Sequence, residues 1–319
     1  MSFFSDVERE LTVIDRTPLT ADVVALDLAA TNGRPLPVWT PGAHVDLEVA
    51  PGVERQYSLC GDLADRTRWR VAILREPAGR GGSLAAHALA VGTVLRARGP
   101  RSNFAYEPRP GSPVTFVAGG VGITAVLPML SSAAEAGADW ELHYCGRERT
   151  RMAWVEDLAA RHGARVHVHD SAAGDRLDVS ALVRRRGTGG IWACGPAPLL
   201  DALHEAAASV PGAQVHVEHF TPQELSAPVW EGPFEVELAA SGEVVVVPPQ
   251  TSVLEALESH GAITVSSCRE GTCGTCETVV LEGDVDHRDS VLTQSEREEN
   301  LSMMTCVSRA ACPRLVLDL

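Results

Sequence analysis

The sequence predicts a multidomain protein: an antiparallel β-barrel, then a doubly wound α/β domain, then a small C-terminal α+β domain. Three observations support this order. Short apolar and polar alternations separated by Pro-Gly turns occupy residues 1–105, and strand and helix patterns alternate over 106–222. A hairpin pattern followed by a helix and a cysteine-rich loop occupies 234–319. At 319 residues the chain is long for one core, so division into domains is expected.

Residues 1–105 have the period of short strands. Short strands at regular spacing, separated by turns such as Pro41-Gly42 and Pro51-Gly52, are typical of a small antiparallel barrel. The alternating segments are Leu11–Ile14, Val23–Leu28, His44–Val49 and Trp69–Leu74. A further segment, Arg55–Leu59, predicts only a half-buried strand when it is taken alone.

A glycine turn, Gly79–Ser83, precedes an apolar helical pattern over Leu84–Leu89. Free N–H groups and the positive end of the helix dipole make such a helix start an anion site, and Arg80 adds positive charge. A single turn of this kind does not identify a ligand.

Residues 106–222 alternate buried strands with amphipathic helices, which predicts a parallel, doubly wound sheet. The first strand, Val114–Ala118, runs into Gly119–Thr124 and then a helix, the arrangement of a phosphate-binding loop. The Gly119–Thr124 turn does not have the G-x-G-x-x-G spacing of the dinucleotide-binding fingerprint. Ligands bind at the carboxyl ends of such strands, where Cys194-Gly195-Pro196 also falls. The later pairs are Glu141–Cys145 with 154–160, Arg165–His169 with 179–185, and Ile191–Cys194 with 199–210.

Residues 223–233 form a polar, proline-bearing linker before the third domain over 234–319. Phe234–Leu238 and Val244–Val247 predict a hairpin. Ser252–Glu255 has the pattern of a capping box, and Gly261 suits the residue after the helix.

Four cysteines predict a metal centre in this third domain. Cys268, Cys273 and Cys276 have the spacing C-x4-C-x2-C, and Cys306 follows at a distance, which is how plant-type ferredoxins bind a 2Fe–2S cluster. Gly271 and Gly274 would let the backbone curl around the cluster. A structural zinc site is the alternative, but zinc favours paired C-x2-C knuckles, and this loop contains one such pair.

Composition excludes several classes of function. The formal net charge of −15 argues against nucleic acid and anionic membranes as partners, and no apolar run approaches the ~20 residues of a membrane span. Met1–Asp6 lacks the start of a secretory signal. The remaining cysteines are scattered singly, as expected of a reducing cytoplasm, and are Cys60, Cys145, Cys194 and Cys312. His167 and His169 alternate on a strand without an evident third ligand, so we interpret them as structural.

Taken together, the motifs resemble the phthalate dioxygenase reductase family, a branch of the ferredoxin–NADP reductase superfamily with a C-terminal ferredoxin domain of β-grasp fold. The resemblance covers nearly the whole chain. It rests on Arg55–Cys60, Arg80–Ser83, Gly119–Thr124, Cys194–Pro196, Cys268–Cys276, Asp286–Asp289, Cys306–Ala310 and Leu315–Leu319.

The resemblance implies a flavin in the barrel, and FMN is favoured over FAD because no separate feature for an adenine is present. It implies that Tyr57 packs on the isoalloxazine and that Ser58 lies near the flavin N5. Relatives often have Thr at the position of Gln56, so its side-chain hydrogen bond is in question. The residues implied to hold the phosphate are Arg55, Arg80, Gly81, Gly82 and Ser83.

The resemblance also implies a pyridine nucleotide site, with the Cys194 thiol beside the nicotinamide C4 and Phe220 as a terminal aromatic against the flavin. Phe220 at the end of its strand is equally well explained as a core residue. Relatives usually have Pro at position 125, where this chain has Ala125. The nucleotide-binding residues implied are Gly119, Gly120, Gly122, Thr124, Gly195 and Pro196.

The implied function is electron transfer from NADH through FMN and the 2Fe–2S cluster to a Rieske-type terminal oxygenase. We expect a cytoplasmic monomer that uses NADH rather than NADPH, although Arg147, Arg149 and Arg151 could contact a 2′-phosphate. Two alternatives remain: the same electron chain serving a cytochrome P450, or a non-catalytic iron–sulfur carrier or sensor.

Overall fold

The computed structural model describes residues 7–223 and 225–319. Met1–Asp6, for which no secretory signal is predicted, lies outside the described residues. Glu224 of the predicted linker lies outside them as well. The chain divides into two compact units, Met1–Phe220 and Thr221–Leu319, which are described separately below.

The first unit begins with a six-stranded antiparallel sheet that curls into a half-barrel, as the alternating segments predict. The strand order is β4-β3-β6-β1-β2-β5, and an isolated bridge between Leu59 and Val71 links the outermost strands. Leu11, Leu26, Val45 and Trp69 fill its core. The elements are β1 (Arg9–Pro18), β2 (Val23–Ala30), β3 (His44–Ala50), β4 (Val53–Ser58), β5 (Trp69–Leu74), α1 (Gly82–Ala88) and β6 (Val94–Arg101).

A five-stranded parallel sheet forms the rest of the first unit, which confirms the doubly wound prediction. The strand order is β11-β10-β7-β8-β9, with helices over both faces. The strands are β7 (Pro113–Gly119), β8 (Asp139–Gly146), β9 (Val166–Asp170), β10 (Gly190–Cys194) and β11 (Gln214–Glu218). The helices are α2 (Ile123–Glu135), α3 (Val155–His162), α4 (Val179–Arg186) and α5 (Ala197–Ala208).

The second unit packs α6 on a mixed sheet of order β13-β12-β18-β14-β16. The predicted hairpin and capping box are present: β12 pairs with β13, and Ser252 and Glu255 cap α6 reciprocally. The strands are β12 (Phe234–Leu238), β13 (Glu243–Val247), β14 (Glu277–Glu282), β15 (Val285–Asp286), β16 (Ser302–Met304), β17 (Arg309–Ala310) and β18 (Arg314–Leu317). The helices are α6 (Val253–His260) and α7 (Gln294–Glu299).

A search of the described residues for a helix both long and apolar enough to cross a bilayer finds none.

Candidate active site and iron–sulfur centre

The predicted phosphate-binding residues of the half-barrel lie together. The Arg55 side chain crosses directly over Gly82, where an added Cβ would fall 2.5 Å from Arg55 Nε. A guanidinium N–H of Arg55 also donates to the Arg80 carbonyl at 3.3 Å. This arrangement places a cation at the first turn of α1, where backbone N–H groups lack helical partners.

The Ser83 hydroxyl is already used within the turn. It accepts a hydrogen bond from the Glu76 N–H at 3.0 Å. Its predicted contact with a phosphate therefore stays a prediction, and the hydroxyl would have to serve both groups.

Tyr57 and Ser58 end β4 and are covered to different degrees. Tyr57 packs against the half-barrel core, and burial raises the pKa of its phenol to about 12, so the ring is neutral. The Ser58 hydroxyl is buried and has no hydrogen-bond partner among residues 7–223 and 225–319. A buried hydroxyl without a partner is costly, and an external polar group such as a flavin nitrogen would satisfy it. The residues present thus fit the implied cofactor.

The Gln56 side chain is directed inward. Its Nε2 donates to Asp46 Oδ1 at 3.0 Å, and Asp46 forms a fully buried ion pair with Arg101. Gln56 therefore supports the sheet beneath the predicted flavin site through its side chain.

The two glycine-containing turns of the parallel sheet meet at its carboxyl edge. Gly122 abuts the end of β10 so closely that a Cβ there would lie 2.2 Å from the Cys194 carbonyl oxygen. The Thr124 hydroxyl is buried and donates to the Val121 carbonyl at 2.9 Å, which closes the first turn of α2. The β7–α2 turn and Cys194-Gly195-Pro196 thus form one surface, although they are distant in sequence.

Two residues that the sequence analysis missed lie beside Cys194. The buried Cys194 thiol is 4.0 Å from Glu218 Oε2, and Glu218 Oε1 is 4.0 Å from His44 Nδ1. His44 is paired across β3 and β4 with Ser58, so a polar row runs from Ser58 through His44 and Glu218 to Cys194. The sequence did offer a signal for Glu218, because it is an acidic residue at the carboxyl end of a parallel strand, where ligands bind.

Burial governs protonation in this row. It raises the pKa of Glu218 from 4.5 to about 8, and it raises the pKa of the Cys194 thiol well above its ordinary value. Both groups are therefore protonated at neutral pH, and neither places an unpaired charge in the apolar interior.

Phe220 is not a core residue. Its side chain is 41% exposed, and β11 ends at Glu218, so the sequence interpretation in which Phe220 ends the strand and packs inside is wrong. An exposed ring after the last strand is available to cover a bound cofactor.

The cysteine loop of the second unit brings distant sulfurs together. Hydrogen bonds from Cys273 and Cys306 lower the pKa of Cys268, and a hydrogen bond from Cys306 lowers that of Cys276, so Cys306 lies among the other three. Cys273, Cys276 and Cys306 are buried. Four cysteine side chains that lie close enough to interact with one another are a donor set suited to iron.

The loop backbone requires glycine where it curls. Gly271 has φ +69°, and a Cβ there would lie 2.5 Å from the Val307 side chain. Gly274 also has positive φ, as the sequence predicts.

Buried polar groups behind the loop hold it in place. Asp289 is fully buried, and its Oδ1 accepts from the Val291 and Leu292 N–H groups. Thr305, which precedes Cys306, donates to the Cys276 carbonyl at 3.1 Å. The Thr305 bond connects the loop to the segment that carries the fourth cysteine.

Comparisons with known proteins agree with this layout. Residues 236–311 match the model of the 2Fe-2S iron-sulfur cluster binding domain. Phenoxybenzoate dioxygenase subunit beta of Ectopseudomonas oleovorans is 40% identical over 301 residues, covering 93% of each chain.

Two solved structures are similar over almost the whole chain. Phthalate dioxygenase reductase is 31% identical with a TM-score of 0.70, covering 98% of both chains. Full-length CYP116B46 from Tepidiphilus thermophilus is 46% identical with a TM-score of 0.86, covering 98% of this chain and 42% of that one. This chain thus corresponds to less than half of the latter protein.

Proposed function

The chain belongs to the phthalate dioxygenase reductase family of oxidoreductases, and we propose that it carries electrons from NADH through FMN and its 2Fe–2S cluster to a Rieske-type terminal oxygenase. The observation that carries the proposal is the presence, in one chain, of the Ser58–Cys194 polar row and the four-cysteine loop. The first suits two-electron hydride chemistry, and the second suits single-electron transfer.

In this proposal Arg55 and the backbone N–H groups at Gly81–Ser83 hold one phosphate, which suits FMN. The support is the contact of the Arg55 side chain with Gly82 at the start of α1. Mass spectrometry of the flavin released by acid from the purified protein tests this. We expect the mass of FMN, and the mass of FAD would contradict the assignment.

The Cys194 side of the row is proposed to position the nicotinamide. When bound, a flavin would supply the capacity to take up a hydride and to release single electrons. Ser58 donates a hydrogen bond to the flavin edge, Cys194 provides a neutral, compact surface for the nicotinamide ring, and Glu218 keeps the thiol oriented. The exposed Phe220 ring would be available to cover a bound flavin.

NADH is favoured over NADPH because two of the three nearby arginines are already paired. Arg149 forms hydrogen bonds with both carboxylate oxygens of Glu156, at 2.7 and 3.0 Å, and Arg151 pairs with Asp22. A 2′-phosphate would have to displace these carboxylates. Steady-state assays should give a kcat/KM for NADH at least about tenfold above that for NADPH, and the reverse order would contradict the assignment.

A Rieske oxygenase is preferred as the acceptor because a relative that matches 93% of this chain, over 93% of its own length, is a dioxygenase subunit. A cytochrome P450 acceptor is the second candidate, since the identity to CYP116B46 is higher.

Anaerobic stopped-flow kinetics can separate the two candidates. The NADH-reduced protein would be mixed with the purified phenoxybenzoate dioxygenase oxygenase component, or with the haem domain of CYP116B46. We expect reduction of the Rieske centre at least about tenfold faster than that of the haem. Faster haem reduction would favour the P450 candidate. If NADH fails to bleach the flavin, the non-catalytic carrier becomes the better explanation.

A further inference from the structure

Three histidines and a glutamate cluster on β8 and β9, away from the glycine turns. His143 is buried, and its ring lies nearly parallel to those of His167 and His169, at centroid distances of 4.7 and 5.3 Å. Glu141 lies two residues before His143 on the same face of β8, and its carboxylate lies close to the rings of His143 and His167. The interpretation of His167 and His169 as structural, for want of a third ligand, overlooked this neighbouring strand.

The cluster presents three converging donor atoms. His143 Nε2 is 3.6 Å from Glu141 Oε1, and His167 Nε2 is 3.8 Å from Glu141 Oε2. One ligand atom from each of these three residues lies within 4.8 Å of the other two. Two imidazoles and one carboxylate are a donor set for first-row divalent transition metals, and it leaves coordination positions for water.

A hydrogen-bond chain behind His143 sets which ring nitrogen is available. His169 Nδ1 is 3.1 Å from the Asp175 carboxylate, and His169 Nε2 is 3.0 Å from His143 Nδ1. Because a carboxylate only accepts, His169 donates to Asp175 and accepts from His143. The His143 Nε2 lone pair then faces Glu141. A metal-binding histidine whose other nitrogen donates to such a partner is the usual arrangement around protein-bound metals.

We propose that Glu141, His143 and His167 form a binding site for a divalent transition ion such as Zn²⁺, separate from the iron–sulfur centre. The His167 side chain is 43% exposed and so has room to adjust its ring to an ion. Two of the donors, Glu141 and His167, border a cavity of about 400 Å³ that is also lined by Arg185 and Arg186 of α4. This cavity provides access for the ion and its waters.

Two arginines at the end of α4 compete with the ion. Arg185 and Arg186 lie 3.0 and 3.2 Å from Glu141 Oε1. Arg186 is also held by the Val114 carbonyl, whereas the Arg185 side chain is 56% exposed and can leave. The ion would therefore replace Arg185 as a charge partner of Glu141. Removal of Arg185 should strengthen metal binding, whereas a purely structural ion-pair cluster would gain no affinity for metal.

The test is equilibrium dialysis of the complete holoprotein against micromolar Zn²⁺, followed by elemental analysis with iron as the internal standard. We expect one zinc for each 2Fe–2S cluster. His167→Gln should weaken binding at least about tenfold, and Arg185→Gln should strengthen it roughly threefold. His204→Gln, which changes an exposed histidine on α5, is the matched control and should bind as the wild type does. Thermal unfolding should shift upward with Zn²⁺ in the wild type and remain unchanged in His167→Gln.

Three outcomes would overturn the site. The first is a zinc content no higher than the background of the dialysis buffer. The second is equal zinc binding by His167→Gln and His204→Gln, which would assign the metal to other ligands. The third is weaker binding by Arg185→Gln, which would show that the arginine supports the cluster rather than competing for Glu141.

Discussion

The two redox sites of this protein are assembled in different ways. Three of the four cysteines that are predicted to bind the cluster belong to one short loop, Cys268–Cys276, and the fourth, Cys306, comes from a segment farther along the chain. The proposed flavin and nicotinamide site combines Ser58 of β4, His44 of β3, Cys194 of β10 and Glu218 of β11. A local site depends on the spacing of its own residues, whereas a composite site depends on strand order and register. Single substitutions should therefore abolish the first and weaken the second by degrees.

The largest effect is expected for Cys273→Ser. Loss of one thiolate should remove the cluster and lower NADH-dependent cytochrome c reduction at least roughly hundredfold, while NADH still reduces the flavin and small two-electron dyes. Cys312→Ser is the control, because Cys312 lies in the same unit but outside the cysteine loop. Near-normal cytochrome c reduction by Cys273→Ser would refute the proposed electron order.

Cys194→Ala should have a smaller effect confined to the composite site. The nicotinamide would lose its positioning surface, and flavin reduction by NADH in stopped flow should slow by about tenfold to a hundredfold. Flavin and iron content should not change. Cys145→Ala is the matched control, because Cys145 lies near the carboxyl end of β8, two strands away from Cys194 in the same sheet. An unchanged rate would make Cys194 a packing residue only.

Glu218→Gln should change the pH dependence of stability. The pKa of Glu218 is raised from 4.5 to about 8 in the folded protein, so the unfolded chain releases this proton first as pH rises. The stabilisation is complete below 4.5 and is lost as pH rises towards about 8, by up to about 1.4 kcal/mol per pH unit. The thermal midpoint of the wild type should therefore fall with pH relative to Glu218→Gln. Parallel curves would show that Glu218 ionises normally.

The smallest effect concerns the acidic residues around the cysteine loop. Asp289 is fully buried and does not contribute to this face, which the sequence alone does not reveal. Complementary charge mainly raises association rates and weakens with salt. We expect electron transfer to the oxygenase to slow severalfold as salt rises, and NADH oxidation by a small neutral quinone to stay nearly constant. The exposed acidic residues are Glu277, Glu282, Asp284, Glu296, Glu298 and Glu299.

The double substitution Glu298→Gln with Glu299→Gln should reduce that salt dependence without altering the quinone activity. If both activities fall together with salt, the effect lies in the nucleotide site and the acidic face only keeps the protein in solution.

The sequence determined by itself the features that depend on neighbours along the chain. Strand and helix periods predicted both sheets and the C-terminal hairpin, and the capping box at Ser252 is present as predicted. The cysteine spacing indicated the iron–sulfur domain, because a loop that supplies three sulfurs is a local arrangement. The resemblance then supplied the nucleotide motifs.

Only the tertiary structure decided which residues meet across strands. Glu218 and His44 are 4.0 Å apart although one ends β11 and the other begins β3, and no local period relates them. The same holds for the placement of Glu141 and His143 beside His167, which follows from the parallel pairing of β8 with β9. Burial likewise separates Asp289 from the exposed carboxylates nearby. Contacts of this kind depend on sheet register and on exclusion of water, and both are properties of the folded chain as a whole.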